Sequence, residues 1–200
     1  EGGNYVSRDI NKAIFYYNLA ADQNHVQSSF KLGLFYYKGK YVKCDINKAL
    51  IFFSRAANKN HAEAQYYMGL IYDERITDID KAIHYYNLAA EQGFNEAYFK
   101  LGVIYLDKRN VNKAIHFFSL AANNNHSSAQ FYLGVIYDSG VYVPRDLRKA
   151  AHYYSLAAKD NCDALINLGV IYSQKEFYGY DINKSISYFK KAADHNYSKA

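Results

Sequence analysis

Cysteine is nearly absent: Cys44 and Cys162 are the only two in 200 residues, and they stand at unrelated places in the sequence pattern. A secreted disulfide scaffold carries many, regularly spaced, so that class is excluded. Free thiols are expected, which favours a reducing compartment such as the cytoplasm and leaves the lumen of the endoplasmic reticulum open. No run approaches the roughly 20 apolar residues that span a bilayer, and the opening residues EGGNYVSRD lack the charged-then-apolar layout of a secretory signal. This segment is therefore expected not to insert into a membrane. An initiating Met is missing too, and the chain reads as a fragment of a longer protein. The single proline, Pro144, falls in a loop just before a helix cap, where a missing amide does least harm.

A surplus of one charge is also lacking. Lys and Arg number 24 against 19 Asp and Glu, for a net charge of +5, and the basic residues come in no block, with Lys and Asp alternating through the chain. Nucleic-acid binders concentrate positive charge on one face or along one helix; no nucleic-acid partner is expected. No glycine-rich phosphate loop follows a strand, and no Ser, Cys or His has a base and an orienting group in its pattern. Neither a cofactor nor a catalytic site is expected. His84, His116 and His152 hold equivalent places on successive helices, roughly 8 to 10 Å apart at helix-packing distance, too far for ligands about 2 Å from one metal ion. His25, His61 and His126 recur at helix junctions, where a turn or packing role is expected. The glycan acceptor pattern at Asn125, Asn183 and Asn196 is read as chance.

What is present is repetition. LGVIY occurs unchanged at 101–105, 133–137 and 168–172, with LGLFY at 32–36 and MGLIY at 68–72, so glycines fall at 33, 69, 102, 134 and 169. Self-similarity at a period of 20 to 50 residues marks a stacked-repeat architecture. Lysines at 12, 48, 81, 113, 149 and 184 give periods of 36, 33, 32, 36 and 35, and the drift lies mostly in the segment after the motif tyrosine. One further residue is missing after Asn161.

Each repeat is expected to hold two helices. The second opens at an N-cap, Asp9, Asp45, Asp78, Asn110, Asp146 or Asp181, whose oxygen accepts an orphan amide. It carries Lys three residues on and an Ala doublet later, runs about 14 residues, and ends at a residue tolerant of positive φ: Asn24, Asn60, Gly93, Asn125, Asn161 or Asn196. The first helix carries LGVIY. Counting from its glycine, minus five is small, minus one is Leu or Met, and plus three is always Tyr, giving one buried stripe. A mid-helix glycine costs about 0.5 to 1 kcal/mol relative to Ala, so close approach of a neighbouring helix is expected there. The repeats are read as 26–60, 61–94, 95–126, 127–161 and 162–196, five helix pairs behind a leading unpaired second helix. Residues 1–8 match the loop at 39–44, and 197–200 match the opening of another repeat.

These motifs resemble the Sel-one-like repeat family, relatives of the tetratricopeptide repeats: Ala, four residues on Leu-Gly, then Tyr; a GxxV loop at Gly39–Val42 and Gly140–Val143; then Asp, Lys-Ala, a paired aromatic and Ala-Ala. Two features depart from the family: Asn mostly replaces its Gly after the Ala doublet, and Tyr or Phe replaces the Trp of its Trp-Tyr pair. The resemblance implies an all-α fold, a right-handed α-α superhelix or solenoid. It also implies an adaptor in protein complexes, such as membrane-protein quality control, signalling assemblies or bacterial host interaction. Cysteine-rich bacterial members have been linked to β-lactam chemistry; their paired cysteines are absent here, and no enzyme is expected.

On the first helix, offsets minus six, minus two, plus one and plus five share a narrow face, which by the same resemblance is concave and contacts ligands. The candidate partner-binding residues are Lys31, Leu34 and Lys38; Glu63, Tyr67 and Leu70; Lys100 and Val103; Tyr132 and Val135; Asn167 and Val170. Lys31, Tyr67, Lys100, Tyr132 and Asn167 are singled out because that register varies. A groove of tyrosines and polar donors suits a protein partner in the form of a peptide or helix segment. The rival expectation is a structural subunit that uses its convex face or its ends.

Overall fold

The computed structural model describes residues 10–197, and the side chains of all of these except 11 and 195–197. The expectations for residues 1–8 and for a cap at Asp9 lie outside that range. The chain divides into two compact units, Glu1–Phe94 and Asn95–Ala200. Every regular element among the described residues is helical. The first unit holds α1 (Ile10–Asp22), α2 (Val26–Lys38), α3 (Ile46–Ala57), α4 (Ala62–Ile71) and α5 (Ile79–Glu91). The second holds α6 (Asn95–Asp107), α7 (Val111–Asn123), α8 (Ser127–Ser139), α9 (Leu147–Ala157), α10 (Cys162–Ser173) and α11 (Ile182–Tyr197). First helices α2, α4, α6, α8 and α10 each pack against the second helix that follows.

The second helices start where expected. The oxygens of Asp45, Asp78, Asn110, Asp146 and Asp181 accept the amides of Lys48, Lys81, Lys113, Lys149 and Lys184 at 2.9 to 3.2 Å. Their far ends use the alanine doublet. Left-handed residues Asn24, Asn60, Gly93 and Asn125 donate to the second alanine's carbonyl, and the next residue donates to the first's, as His126 does to Ala121 at 3.1 Å. This double closure is a Schellman motif.

Asn161 breaks the expectation. It is extended, φ −127°, and its oxygen accepts the Ala164 amide, so it starts α10 instead of ending α9. The deleted residue is thus the left-handed one, and Asn161 fills the place that His25, His61 and His126 hold elsewhere. Those histidines are N-caps: their Nδ1 atoms accept the amides of Ser28, Ala64 and Ala129 at 3.2 to 3.3 Å. Each therefore closes one helix with its backbone and opens the next with its ring. Asn196 does not cap either, because α11 continues through Tyr197.

The motif glycines face rings. A Cβ at Gly33, Gly69, Gly102 or Gly134 would stand 2.5 Å from Phe53, Tyr86, Phe118 or Tyr154, and at Gly169 it would stand 2.7 Å from Phe189. The close neighbour is the second aromatic of the paired helix, lying flat where a methyl group would be, rather than that helix's backbone. Phe53, Tyr86 and Phe118 are fully buried in consequence.

The motif tyrosines are half-buried, not core. Their rings stack on the first aromatic of the doublet, Tyr105 on Phe117 at 5.5 Å and 4°, with equivalent pairs Tyr36–Phe52, Tyr72–Tyr85, Tyr137–Tyr153 and Tyr172–Tyr188. The lysine after each cap lies over the same ring, at 4.9 Å for Lys113 and Lys149. Each tyrosine carbonyl also accepts the amide of the N-cap residue, at 2.8 to 3.0 Å in all five repeats. The variable segment is pinned at both ends, so its length changes without moving either helix. In the two short versions the pin demands a left-handed Thr77 or Arg109, and α4 first adds a π-helical turn, Tyr72–Ile76.

Candidate binding face

The twelve candidate residues divide by burial. In the first unit Glu63 and Lys38 are exposed, Lys31, Leu34 and Tyr67 half-buried, and Leu70 is 8% exposed, which leaves it almost no surface to offer. In the second unit Val170 is 44% exposed, while Lys100, Val103, Tyr132, Val135 and Asn167 are half-buried. Leu34, Val103 and Val135 pack against the cores built around Phe53, Phe118 and Tyr154 respectively.

At the minus-two register, variation follows an internal partner. Tyr67 stacks on Phe53 at 5.1 Å and 13°, and Tyr132 on Phe118 at 5.2 Å and 27°. Where the preceding ring is Tyr154, the register holds Asn167, whose side-chain amide lies toward the tyrosine hydroxyl and opposes the rise in its pKa. A phenylalanine is thus met by an aromatic ring, whereas the register holds Lys100 after Tyr86 and Asn167 after Tyr154. Burial raises the Tyr67 hydroxyl above the usual phenol range, with the Glu63 charge adding to it. Burial likewise raises Tyr154, with Asp138 nearby, and raises Tyr86, whose hydroxyl donates to Asp73 at 3.2 Å.

Lys31, Leu34 and Lys38 are brought together. With Phe35, Lys40 and Tyr41 they line one hollow of about 250 Å³. Gly39, φ 64°, ends α2 with its amide on the Phe35 carbonyl at 3.1 Å and returns Lys40 and Tyr41 beside the last helical turn. Phe35 is held edge-on between Tyr17 at 5.8 Å and Tyr41 at 5.6 Å.

Metal binding has no support from the histidines: His84, His116 and His152 are exposed, each set against its neighbouring aromatic ring. Among the described residues no group of three or more His, Cys, Asp or Glu is placed to hold a metal ion. Cys44 and Cys162 are free thiols, and no described helix is long and apolar enough to cross a membrane.

The model of the Sel1 repeat matches residues 1–25, 26–61, 62–94, 95–126, 127–162 and 162–197. The chain belongs to the Sel1 repeat family. Among solved structures, a Sel1 repeat protein from Oxalobacter formigenes is similar at 30% identity over 94% of this chain and 80% of that one, with a TM-score of 0.77. The c5321 protein of uropathogenic Escherichia coli, described as a protective antigen with this fold, matches at 28% identity and a TM-score of 0.79. That match covers 94% of this chain and 42% of the longer one. A Sel1 repeat protein from Klebsiella pneumoniae shares the fold at 20% identity, with a TM-score of 0.56 over 92% of this chain and 93% of that one. No curated protein matches the sequence. The fold is therefore the all-α solenoid type of these relatives, a class that serves generally as a protein-interaction scaffold.

Within the Sel1 framework the even charge distribution needs correction. Between Asp22 and Asp45 there is no Asp or Glu, while Lys31, Lys38, Lys40 and Lys43 fall in that stretch. Lys and Asp alternate elsewhere, but not in this repeat. Phe35, Lys40 and Tyr41 were not among the candidates, and this acid-free interval is the signal that points to them.

Proposed function

We propose that this Sel1 repeat protein is a non-catalytic scaffold that holds a protein partner, as a peptide or a helix, along the face of its first helices. The observation that carries the reading is the hollow at Lys31, Leu34 and Lys38: three residues of the expected face converge on one concavity with an apolar floor and a charged rim. That composition suits an extended or helical segment. Sel1 repeat proteins are typically non-catalytic, which agrees with it.

The test is panning of a displayed random-peptide library against the chain, followed by titration of the selected peptides. Two variant pairs probe the two units separately, Lys38→Glu with Glu63→Lys and Lys100→Glu with Val170→Asp. Selected peptides are expected to lose about tenfold or more in affinity against at least one pair. Failure to select any peptide, or selected peptides indifferent to both pairs, overturns the proposal.

A further inference from the structure

We infer that the hollow at the C-terminal end of α2 is an acidic-peptide site, which takes carboxylates on Lys31, Lys38 and Lys40 and one apolar side chain on Leu34, Phe35 and Tyr41. This deepens the scaffold reading and rests on it.

Charge is the first argument. Three lysines elsewhere are tethered to the cap aspartate three residues before them: Lys48 to Asp45 at 4.0 Å, Lys81 to Asp78 at 3.0 Å and Lys149 to Asp146 at 3.9 Å. Among the described residues no carboxylate pairs with Lys31, Lys38 or Lys40. The end of a helix carries about half a negative charge, which three ammonium groups outweigh. The minus-two and plus-five registers are both lysine only here; the other repeats have Tyr67 and Glu74, Lys100 and Asp107, Tyr132 and Ser139, and Asn167 and Gln174. At these two registers, positive charge is therefore concentrated at this hollow.

Size and shape supply the second argument. About 250 Å³ falls short of the roughly 300 to 1,000 Å³ typical of cofactor and drug-sized sites, and suits one or two side chains of a longer chain passing over it. Phe35 forms a wall braced on both sides, and Lys40 lies 5.4 Å over the Tyr41 ring. The apolar surface thus shares its hollow with three lysine side chains, a setting in which an apolar anchor flanked by carboxylates meets complementary groups.

The probe is a fluorescein-labelled peptide with glutamates on both sides of one phenylalanine, read by anisotropy. Controls are the same peptide with glutamines for glutamates and with alanine for phenylalanine. The glutamate peptide is expected to bind about tenfold or more tightly than the glutamine one, and less tightly as salt rises. Lys31→Glu with Lys38→Glu should remove that preference, as should Lys38→Glu with Lys40→Glu, in which both altered residues are exposed; circular dichroism verifies folding. Glutamate and glutamine peptides binding alike, or a preference that survives both variants, overturns the inference. So does an oligothymidylate that binds through the same lysines as tightly as the peptide, since the site is then for nucleic acid. If the glutamate peptide fails while library-selected peptides still depend on Lys100 or Val170, the acidic site falls and the scaffold reading stands. If the library yields no face-dependent peptide, the scaffold reading itself falls.

Discussion

Replacing Gly102 by Ala ought to stabilise a helix, and in this chain it should do the reverse. Removing a mid-helix glycine gains about 0.5 to 1 kcal/mol. The added Cβ, however, would stand 2.5 Å from Phe118 Cδ1 and 2.6 Å from Cε1, where carbon atoms rest about 3.5 to 4.0 Å apart. The ring has nowhere to retreat: it is 0% exposed and lies between Phe99 at 5.9 Å and Tyr132 at 5.2 Å. Relief requires α6 and α7 to separate, an overpacking cost of about 1 to 3 kcal/mol. The net loss is then about 1 kcal/mol at mid-range and up to about 2.5 kcal/mol, or roughly 2 to 10 °C in Tm at this chain length.

Gly169→Ala is the internal control. Its covering ring, Phe189, is 42% exposed and meets the new Cβ with its far atoms, Cε1 and Cζ, at 2.7 and 2.8 Å. That ring can swing outward, so gain and cost should cancel to within about 0.5 kcal/mol. Urea denaturation followed by far-UV circular dichroism compares the two. Combining Gly102→Ala with Phe118→Leu should recover part of the loss, since the shared contact couples the sites. A Gly102→Ala protein as stable as the wild type refutes the reasoning, as does an equal loss at Gly169.

Three further outcomes are expected. Burial lowers the His126 pKa, the Glu96 charge opposing it, and its Nδ1 must stay unprotonated to accept the Ala129 amide. The folded value thus lies below the unfolded one, so its stabilising contribution is full above about pH 6.5 and declines as pH falls through the depressed folded value. His126→Asn, the cap already used at Asn161, should flatten that part of the stability-pH curve, and an unaltered curve would sink the cap assignment. Thr77 holds φ 61°, where a β-branched residue is strained; Thr77→Asn should raise stability by about 1 kcal/mol, and no gain in urea midpoint would argue against strain there. Tyr132→Ser should cost about 2 kcal/mol through its lost stacking on Phe118, whereas Lys38→Ser should stay within about 0.5 kcal/mol; a neutral Tyr132→Ser would return that tyrosine to the pool of free binding residues.

The helices, their caps and the small-residue stripe were legible because each is a local rule repeated five times. Phe177 was not: it is buried beneath Tyr172 in a long loop, where no periodicity applies. Nor did any local pattern reveal the shared hydrogen bond from each cap amide to the motif tyrosine carbonyl, because its two ends are separated by the very segment whose length drifts. The histidine caps were visible as a recurrence whose chemistry became clear only from Nδ1 facing an amide. Asn161 was misplaced because the one-residue deletion looks the same in sequence on either side of it.

The binding face shows the more general difficulty. Variation between repeats is expected to mark residues free to choose a partner, yet at the minus-two register it also follows the ring beneath, Tyr132 over Phe118 and Asn167 beside Tyr154. Two residues that change together inside a core and one that changes to suit a ligand give the same signal along a sequence. What separates them in the folded chain is whether the variable side chain already has a partner. By that criterion Tyr67 and Tyr132 are occupied, whereas Lys31 and Lys38 have no paired carboxylate among the described residues and border an open hollow. The recognition chemistry of this scaffold is therefore best sought where variation coincides with unmatched charge.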